Sequence, residues 1–245
     1  MAHVNVHRED LDFDEPVLVE GLPGLGLVGK IAADHLVDTF EMDHYASIHC
    51  DGLPEVAIYD ADGPGVEPPV RIHADEKRDL LVLQSDVPIS PSAADEFSTC
   101  LTGWLDEMDA FPLYISGTRR EDDEITEVFG LSTAGAGARL DGLEVDLPGE
   151  RGVVSGPTGA LLYHAERADL DGLAFVVEAS PQFPDPAAAK TLLDRAVEPM
   201  AEIEVETETL VEQAQEISAA KEKLARRMQQ AEDESSQAQP VGMYQ

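Results

Sequence analysis

Glu20-Gly21-Leu22-Pro23-Gly24-Leu25-Gly26-Leu27-Val28-Gly29-Lys30 sets the reading of the whole chain. Just ahead of it, Pro16-Val17-Leu18-Val19 is a short apolar run that predicts a buried strand. Behind it, Val28, Ile31, Ala32, Leu36 and Phe40 recur at helical spacing and predict a helix over residues 27–40. A strand, a glycine turn and a helix N-terminus gather backbone N–H groups into a nest that suits an anion. Two fingerprints overlay the turn. Gly24-x-Gly26-x-x-Gly29 fits the dinucleotide pattern, and Gly24-x4-Gly29-Lys30 fits most of a P-loop. A third reading is geometric: only glycine accepts the positive φ and the close packing that a sharp strand-to-helix corner demands.

The residues around the turn favour the geometric reading. For a dinucleotide site, Asp51 ends the next strand where a ribose-binding carboxylate belongs. Yet Gly21-Leu22-Pro23 intervenes between the strand and Gly24, and no second mononucleotide-binding half follows. A P-loop needs Ser or Thr after its lysine to hold magnesium, and Ile31 stands there instead. The alternative is therefore a nucleotide- or nucleoside-binding enzyme that uses the turn at 24–30. No other stretch supplies stronger chemistry. Ser155-Gly156-Pro157-Thr158-Gly159 lacks the glycine two before the serine of a nucleophile elbow. His3, His7, His35, His44, His49, His73 and His164 are scattered without a zinc-ligand pattern. No catalytic residue, cofactor-binding residue or metal ligand is assigned.

Working outward, Tyr45–Cys50, Val56–Tyr59, Val70–His73, Leu80–Leu83, Phe111–Ser116, Thr126–Leu131, Leu143–Leu147 and Leu173–Val177 read as further strands. A helix starts near Ser90-Pro91 and carries Phe97, Leu101, Trp104, Leu105 and Met108 on one face, with Trp104 a core residue. Ala160–Arg167 and Ala187–Val197 read as two more helices, the second led in by Asp185 and Pro186. Arg119 and Arg120 are expected in a solvated loop, paired with Glu121 and Asp122. Strands alternating with helices imply an α/β fold with a mainly parallel sheet covered on both faces.

Charge sets limits on partners. The 245 residues carry 16 Lys and Arg against 50 Asp and Glu, a formal net charge of −34. Such a surface repels phosphates, which excludes nucleic acid and anionic membranes as expected partners. At about 1 M salt the screening length falls to about 3 Å, and the self-repulsion becomes tolerable. The acidity therefore points to a salt-loving, archaeal cytoplasm. Cys50 and Cys100 are expected as buried free thiols in a reducing cell. The polar opening residues 1–10 resemble no signal peptide, and no run approaches the ~18 apolar residues that span a bilayer. The expectation is a soluble, cytoplasmic protein.

Pro199 marks a change of composition. Ile203, Thr207, Leu210, Ala214, Ile217, Leu224, Met228 and Ala231 form a narrow apolar stripe on a highly charged helix, interrupted by Lys221, which suits either packing on its own domain or self-association. The division expected is an α/β domain over 1–199, a helical and coiled-coil-like extension over 200–234, and a flexible tail over 235–245. The last three residues, Met243-Tyr244-Gln245, make a self-contained docking unit. Met243 suits an apolar slot, Tyr244 adds ring area and a hydroxyl, and the carboxylate of Gln245 suits a lysine or a backbone nest.

Taken together, three of these stretches resemble the archaeal branch of the proteasome assembly chaperone 2 family. They are Glu20–Gly29, Val153–Leu162 with its Ser-Gly-Pro-Thr-Gly-Ala-Leu-Leu, and Pro181-Gln-Phe-Pro-Asp-Pro186 leading into a helix. The likeness covers roughly residues 10 to 200. It implies a fold related in outline to nucleoside phosphorylases, with no enzymatic activity, no cofactor and ATP-independent binding of proteasome α-subunits. It also implies that a C-terminal hydrophobic-Tyr-any motif, matched here by Met243, Tyr244 and Gln245, inserts into pockets of the α-ring. A single tail binds weakly, so a homo-oligomer is expected to supply avidity.

Overall fold

The computed structural model describes residues 2–59, 64–120 and 126–212. Among these, eight strands form one sheet: β1 (His3–Val6), β2 (Val17–Gly21), β3 (Asp43–His49), β4 (Val70–Asp75), β5 (Leu80–Ser85), β6 (Phe111–Arg119), β7 (Val128–Thr133) and β8 (Gly172–Ala179). Their order is β1-β3-β4-β5-β2-β6-β8-β7. The four central strands β5, β2, β6 and β8 run parallel. Antiparallel strands extend the sheet at both ends, with β4, β3 and β1 on one side and β7 on the other. The expected α/β class with a parallel core holds, and hairpin-like flanks are added to it.

Helices cover both faces. On one lie α1 (Val28–Thr39), packed on β2, β5 and β6, and α4 (Pro186–Leu192), packed on β8 and α1. On the other lie α2 (Ala94–Glu107) and α3 (Gly156–Ala168), packed on each other. Side chains alternate across a strand, so neighbours serve opposite cores. Leu18 of β2 pairs in register with Leu81 and both face α2, while Val19 pairs with Val82 and both face α1. All four are fully buried, and each contributes roughly 1.5–3 kcal/mol of burial. Trp104 packs partly buried against the α2 side, as its place on the apolar helix face predicts. Ser90 caps the approach to α2, its Oγ accepting from the Ala93 N–H at 3.3 Å.

Several expectations are corrected. Val56–Tyr59 is no strand: it makes one isolated bridge, Ile58 to Glu67, and Val56 and Tyr59 lie exposed instead of facing a core. Leu143–Leu147 likewise makes only the bridge of Asp146 to Phe129, and the loop before it holds a 3₁₀ turn over Ala136–Leu140. Conversely, β1 was hidden in the polar opening, where Val4 and Val6 alternate with His3 and Asn5. Cys50 and Cys100 are free but only half-buried.

Pro199 does not end the fold. The chain passes without a break from α4 through a π turn (Leu193–Val197) into α5 (Glu198–Ala201), which holds Pro199. Glu202 at φ 52° stops that helix. Residues 203–207 are then non-helical, and Ile203, Val205 and the buried Leu210 pack on the α1 side of the core. Ile203 and Leu210 of the expected stripe therefore face the protein's own core, and helix begins only at 208. The remainder of the expected extension and tail lies outside the described residues. Among the described residues no helix is long and apolar enough to cross a membrane.

Candidate functional site

The glycine-rich corner is filled by itself. Gly24 is extended (φ −132°), Leu25–Leu27 make one tight turn in which Gly26 takes φ 66°, and α1 begins at Val28. This turn lies across the carboxyl ends of β6 and β8. A Cβ on Gly117 of β6 would stand 2.5 Å from the Leu25 carbonyl oxygen, and one on Gly26 would stand 2.7 Å from the Ala179 Cβ. Gly21 is tighter still: its Cβ would meet Ala33 at 2.3 Å and the Leu83 carbonyl oxygen at 2.4 Å. The crevice between β2 and β6 is where the strand order reverses, the usual ligand position of an open α/β sheet. Here the chain's own backbone occupies it.

Nor do the candidate ligand-binding groups converge on the turn. Lys30 Nζ is bound 3.0 Å from both Asp34 Oδ2 and Asp86 Oδ1. Burial pulls this ammonium down, and the two carboxylates more than restore it, leaving it raised. Asp86 also receives Arg71 Nη2 at 2.8 Å. Asp51 follows β3, which is antiparallel and three strands from β2, about 14 Å at ordinary strand spacing. A ribose-binding carboxylate does not stand there. The glycines thus serve the corner, and the geometry fits neither nucleotide fingerprint.

Beneath the corner lies a buried acid that the sequence reading passed over. The β2–β6 ladder stops at the Val19–Leu113 pair, and the Glu20 carboxylate takes over from the backbone. Its Oε2 accepts from the Ile115 N–H at 3.1 Å and its Oε1 accepts from the Thr158 hydroxyl at 2.6 Å. Glu20 is completely buried, and burial pushes its carboxyl up to about 7 against the pull of those two hydrogen bonds. Tyr114 stands nearby, its phenol pushed up by burial and by the Glu20 charge, and its hydroxyl is unpaired. Thr158 belongs to the second glycine-bearing turn, at the start of α3. Here Gly156 takes φ 73° and a Cβ on Gly159 would stand 2.3 Å from the Val154 carbonyl oxygen. The two motifs singled out in the sequence therefore meet at one carboxylate. The available sign was that Glu20 is the only charge between Pro16 and Gly29.

The third motif is also structural. Arg120 does not sit in a solvated loop: its guanidinium reaches Asp185 Oδ2 at 2.7 Å and Thr126 Oγ1 at 2.6 Å. Asp185 further accepts from the Ser180 N–H at 2.9 Å and caps α4 through the Ala188 N–H at 3.1 Å. Its own N–H donates to the Gly26 carbonyl at 2.8 Å, tying this loop to the corner.

Five of the seven histidines are less scattered than the sequence suggests. The His3 ring stacks on His49 at 5.2 Å, His7 meets His44 at 5.0 Å, and His44 lies 5.6 Å from His73. Burial and the neighbouring Arg71 push the His73 imidazole down to about 4. No group of three or more metal-ligating side chains is assembled among the described residues. Met243, Tyr244 and Gln245, the candidate partner-binding residues, lie outside the described residues.

Comparison with known proteins accords with this architecture. The structure superposes on Pyrococcus furiosus PbaA, described as an archaeal homolog of proteasome-assembly chaperone, with a TM-score of 0.79 at 23% identity, over 96% of this chain and 95% of that one. It superposes on Pyrococcus furiosus PbaB, described as an archaeal proteasome activator, with a TM-score of 0.72 at 22% identity, over 91% of this chain and 98% of that one. In sequence, the chain is 26% identical over 225 residues to an uncharacterized protein of Methanocaldococcus jannaschii, covering 90% of each. The model of the PAC2 family matches residues 18–225, which span all three motifs, and the chain belongs to that family.

Proposed function

We propose that this protein is an ATP-independent proteasome-binding protein, an assembly chaperone or an activator, that docks Met243-Tyr244-Gln245 into pockets of the α-ring. The observation that carries the reading is the pairing of a PAC2 domain with a C-terminal hydrophobic-Tyr-any tripeptide. The likeness to folds described as a proteasome-assembly chaperone homolog and a proteasome activator supports the same direction. The packed glycine corner supports a binding role over an enzymatic one, because neither fingerprint retains the space or the side chains its ligand requires.

In sequence, residues 213–242 lie between the described part of the chain and the docking tripeptide, a length that would give the tripeptide reach. A single tripeptide binds weakly; several carried on a homo-oligomer raise the effective concentration of the next. The acidic surface suits a cytoplasm at molar salt, where apolar docking is strengthened as charge is screened. The test is capture of proteasome α-subunits by the full-length chain at molar salt, beside a chain lacking Tyr244 and Gln245. Capture by the first and not by the second is expected.

A further inference from the structure

The turn at Ser155–Gly159 is committed to the Thr158 contact, but the two residues that lead into it are not. Val153 is 91% exposed, and Val154 beside it is half-buried. Both wall a cleft of about 490 Å³ at the carboxyl ends of the parallel strands β6 and β8. Ligands of open α/β sheets bind outside that end of the strands. At the β2–β6 crevice the chain's own corner fills the place, whereas over β6 and β8 it stands open.

The floor of the cleft is one row of the sheet. Ser116, Val176 and Phe129 stand in register across β6, β8 and β7, and all three are half-buried. The preceding row on the same face, Tyr114, Ala174 and Leu131, packs into the α2 side of the core. Val176, Phe129 and Leu131 thus give the cleft an apolar base, and the ring of Phe129 offers a face for stacking. Ser116 and Thr118, on the same side of β6, bring two hydroxyls to the lining. Among the described residues neither hydroxyl has a hydrogen-bond partner. An apolar lining with a few convergent polar groups, in a volume of roughly 300–1,000 Å³, is the make-up of a small-molecule site.

Charge narrows the ligand. Glu150 and Arg151, adjacent in sequence, are the charged residues of the lining, one acid and one base in a chain with 50 acids and 16 bases. Both are exposed, and among the described residues neither is held in an ion pair. A simple anion placed here meets Glu150 and a simple cation meets Arg151. A phosphate ester carries several negative charges against one base. A zwitterion, with ammonium and carboxylate on one carbon, satisfies both groups and leaves its side chain for the apolar floor.

We propose that this cleft binds a free amino acid with an aromatic or branched apolar side chain. Its carboxylate meets Arg151, its ammonium meets Glu150, and its side chain lies on Phe129, Leu131 and Val176. The Ser116 and Thr118 hydroxyls, which both donate and accept, serve either charged end. The site is separate from the C-terminal tripeptide and stands whether or not the tail docks.

The test is calorimetric titration of the full chain in molar potassium chloride with L-phenylalanine and with L-leucine. Beside them run phenethylamine, which lacks the carboxylate, 3-phenylpropionate, which lacks the ammonium, and N-acetyl-L-phenylalaninamide, which carries the side chain on a peptide-like backbone. One or both amino acids should bind saturably, and each analogue at least about tenfold more weakly, as the loss of a charge-assisted contact requires. Arg151→Ala should weaken the amino acid by a similar factor and leave phenethylamine unchanged. Glu150→Gln should weaken it likewise and leave 3-phenylpropionate unchanged. Both substituted side chains are exposed, and circular dichroism checks that each variant is folded. Absence of saturable binding by either amino acid overturns the proposal. Binding of N-acetyl-L-phenylalaninamide as tight as that of L-phenylalanine also overturns it, and assigns the cleft to a polypeptide segment. Amino-acid binding that neither variant alters places the ligand elsewhere on the molecule and refutes this site.

Discussion

The Thr158 hydroxyl donates to the Glu20 carboxylate across 2.6 Å, joining two glycine-bearing turns that lie 138 residues apart in sequence. The same carboxylate continues the β2–β6 ladder by accepting from the Ile115 N–H. One buried side chain thus stitches the parallel core to the start of α3, and its protonation sets a pH dependence of the fold.

The sign of that dependence follows from the direction of the shift. The Glu20 carboxyl titrates near 4.5 in a free chain and is pushed up to about 7 in the fold. Between those values the native state holds a proton that the unfolded chain has lost, so stability falls as pH rises. The contribution is complete below about pH 4.5 and is lost through pH 7, for roughly 3 kcal/mol in all. Glu20→Gln keeps an acceptor for Ile115 and abolishes this slope. Urea unfolding of the two proteins between pH 5 and 8 should show Glu20→Gln gaining on the wild type as pH rises. Parallel curves would mean that Glu20 does not titrate in this range.

Removing the partner instead leaves the buried acid short of one hydrogen-bond donor. Thr158→Val keeps the shape of the side chain and deletes the donor, at a cost of about 1–3 kcal/mol. Paired with Glu20→Gln in a double-mutant cycle, it should show a coupling of about 1 kcal/mol at pH 8. Additive losses would show that the 2.6 Å contact is energetically idle.

The glycines of the corner make opposite predictions. Gly21→Ala drives a methyl group against the Ala33 side chain and the Leu83 backbone and should cost more than about 3 kcal/mol. Gly24→Ala has nothing within 4 Å and an ordinary extended backbone, so it should change stability by less than about 0.5 kcal/mol. Thermal unfolding decides between this ranking and the reverse, which a phosphate cradle centred on Gly24 would produce in a ligand-dependent form.

A fourth expectation concerns the loop that closes over the corner. Asp185 serves the Arg120 guanidinium, the Ser180 N–H and the Ala188 N–H at once. Asp185→Ala removes an ion-pair partner and a helix cap together and should cost about 3–5 kcal/mol by chemical denaturation. A loss under 1 kcal/mol would show that the guanidinium and the helix end find water instead.

Much of this architecture is legible in the residues. The run from Val17 to Phe40 announces strand, corner and helix, because period-3.6 spacing begins where the apolar run ends. What the pattern cannot carry is the partner of a polar residue. Arg120 pairs with Asp185, 65 residues away, while nearer acids made a plausible local pairing. Glu20 reads as one acid among 50 until the sheet brings Thr158 and Ile115 to it. His44 and His73 become neighbours only through the register of β3 on β4. The Val56–Tyr59 misreading is of a different kind: its composition is that of a strand, but Val56 and Tyr59 are exposed and no neighbouring strand pairs with it beyond one bridge.

The central claim is that the last three residues carry the attachment to the proteasome. The most direct measurement is the dissociation constant of full-length protein for proteasome α-rings at molar salt, compared with a chain that lacks Tyr244 and Gln245. The account predicts at least a hundredfold weakening with unchanged circular dichroism and unchanged solution mass. Equal affinity for the two chains would contradict it, and would move the attachment to the α/β domain.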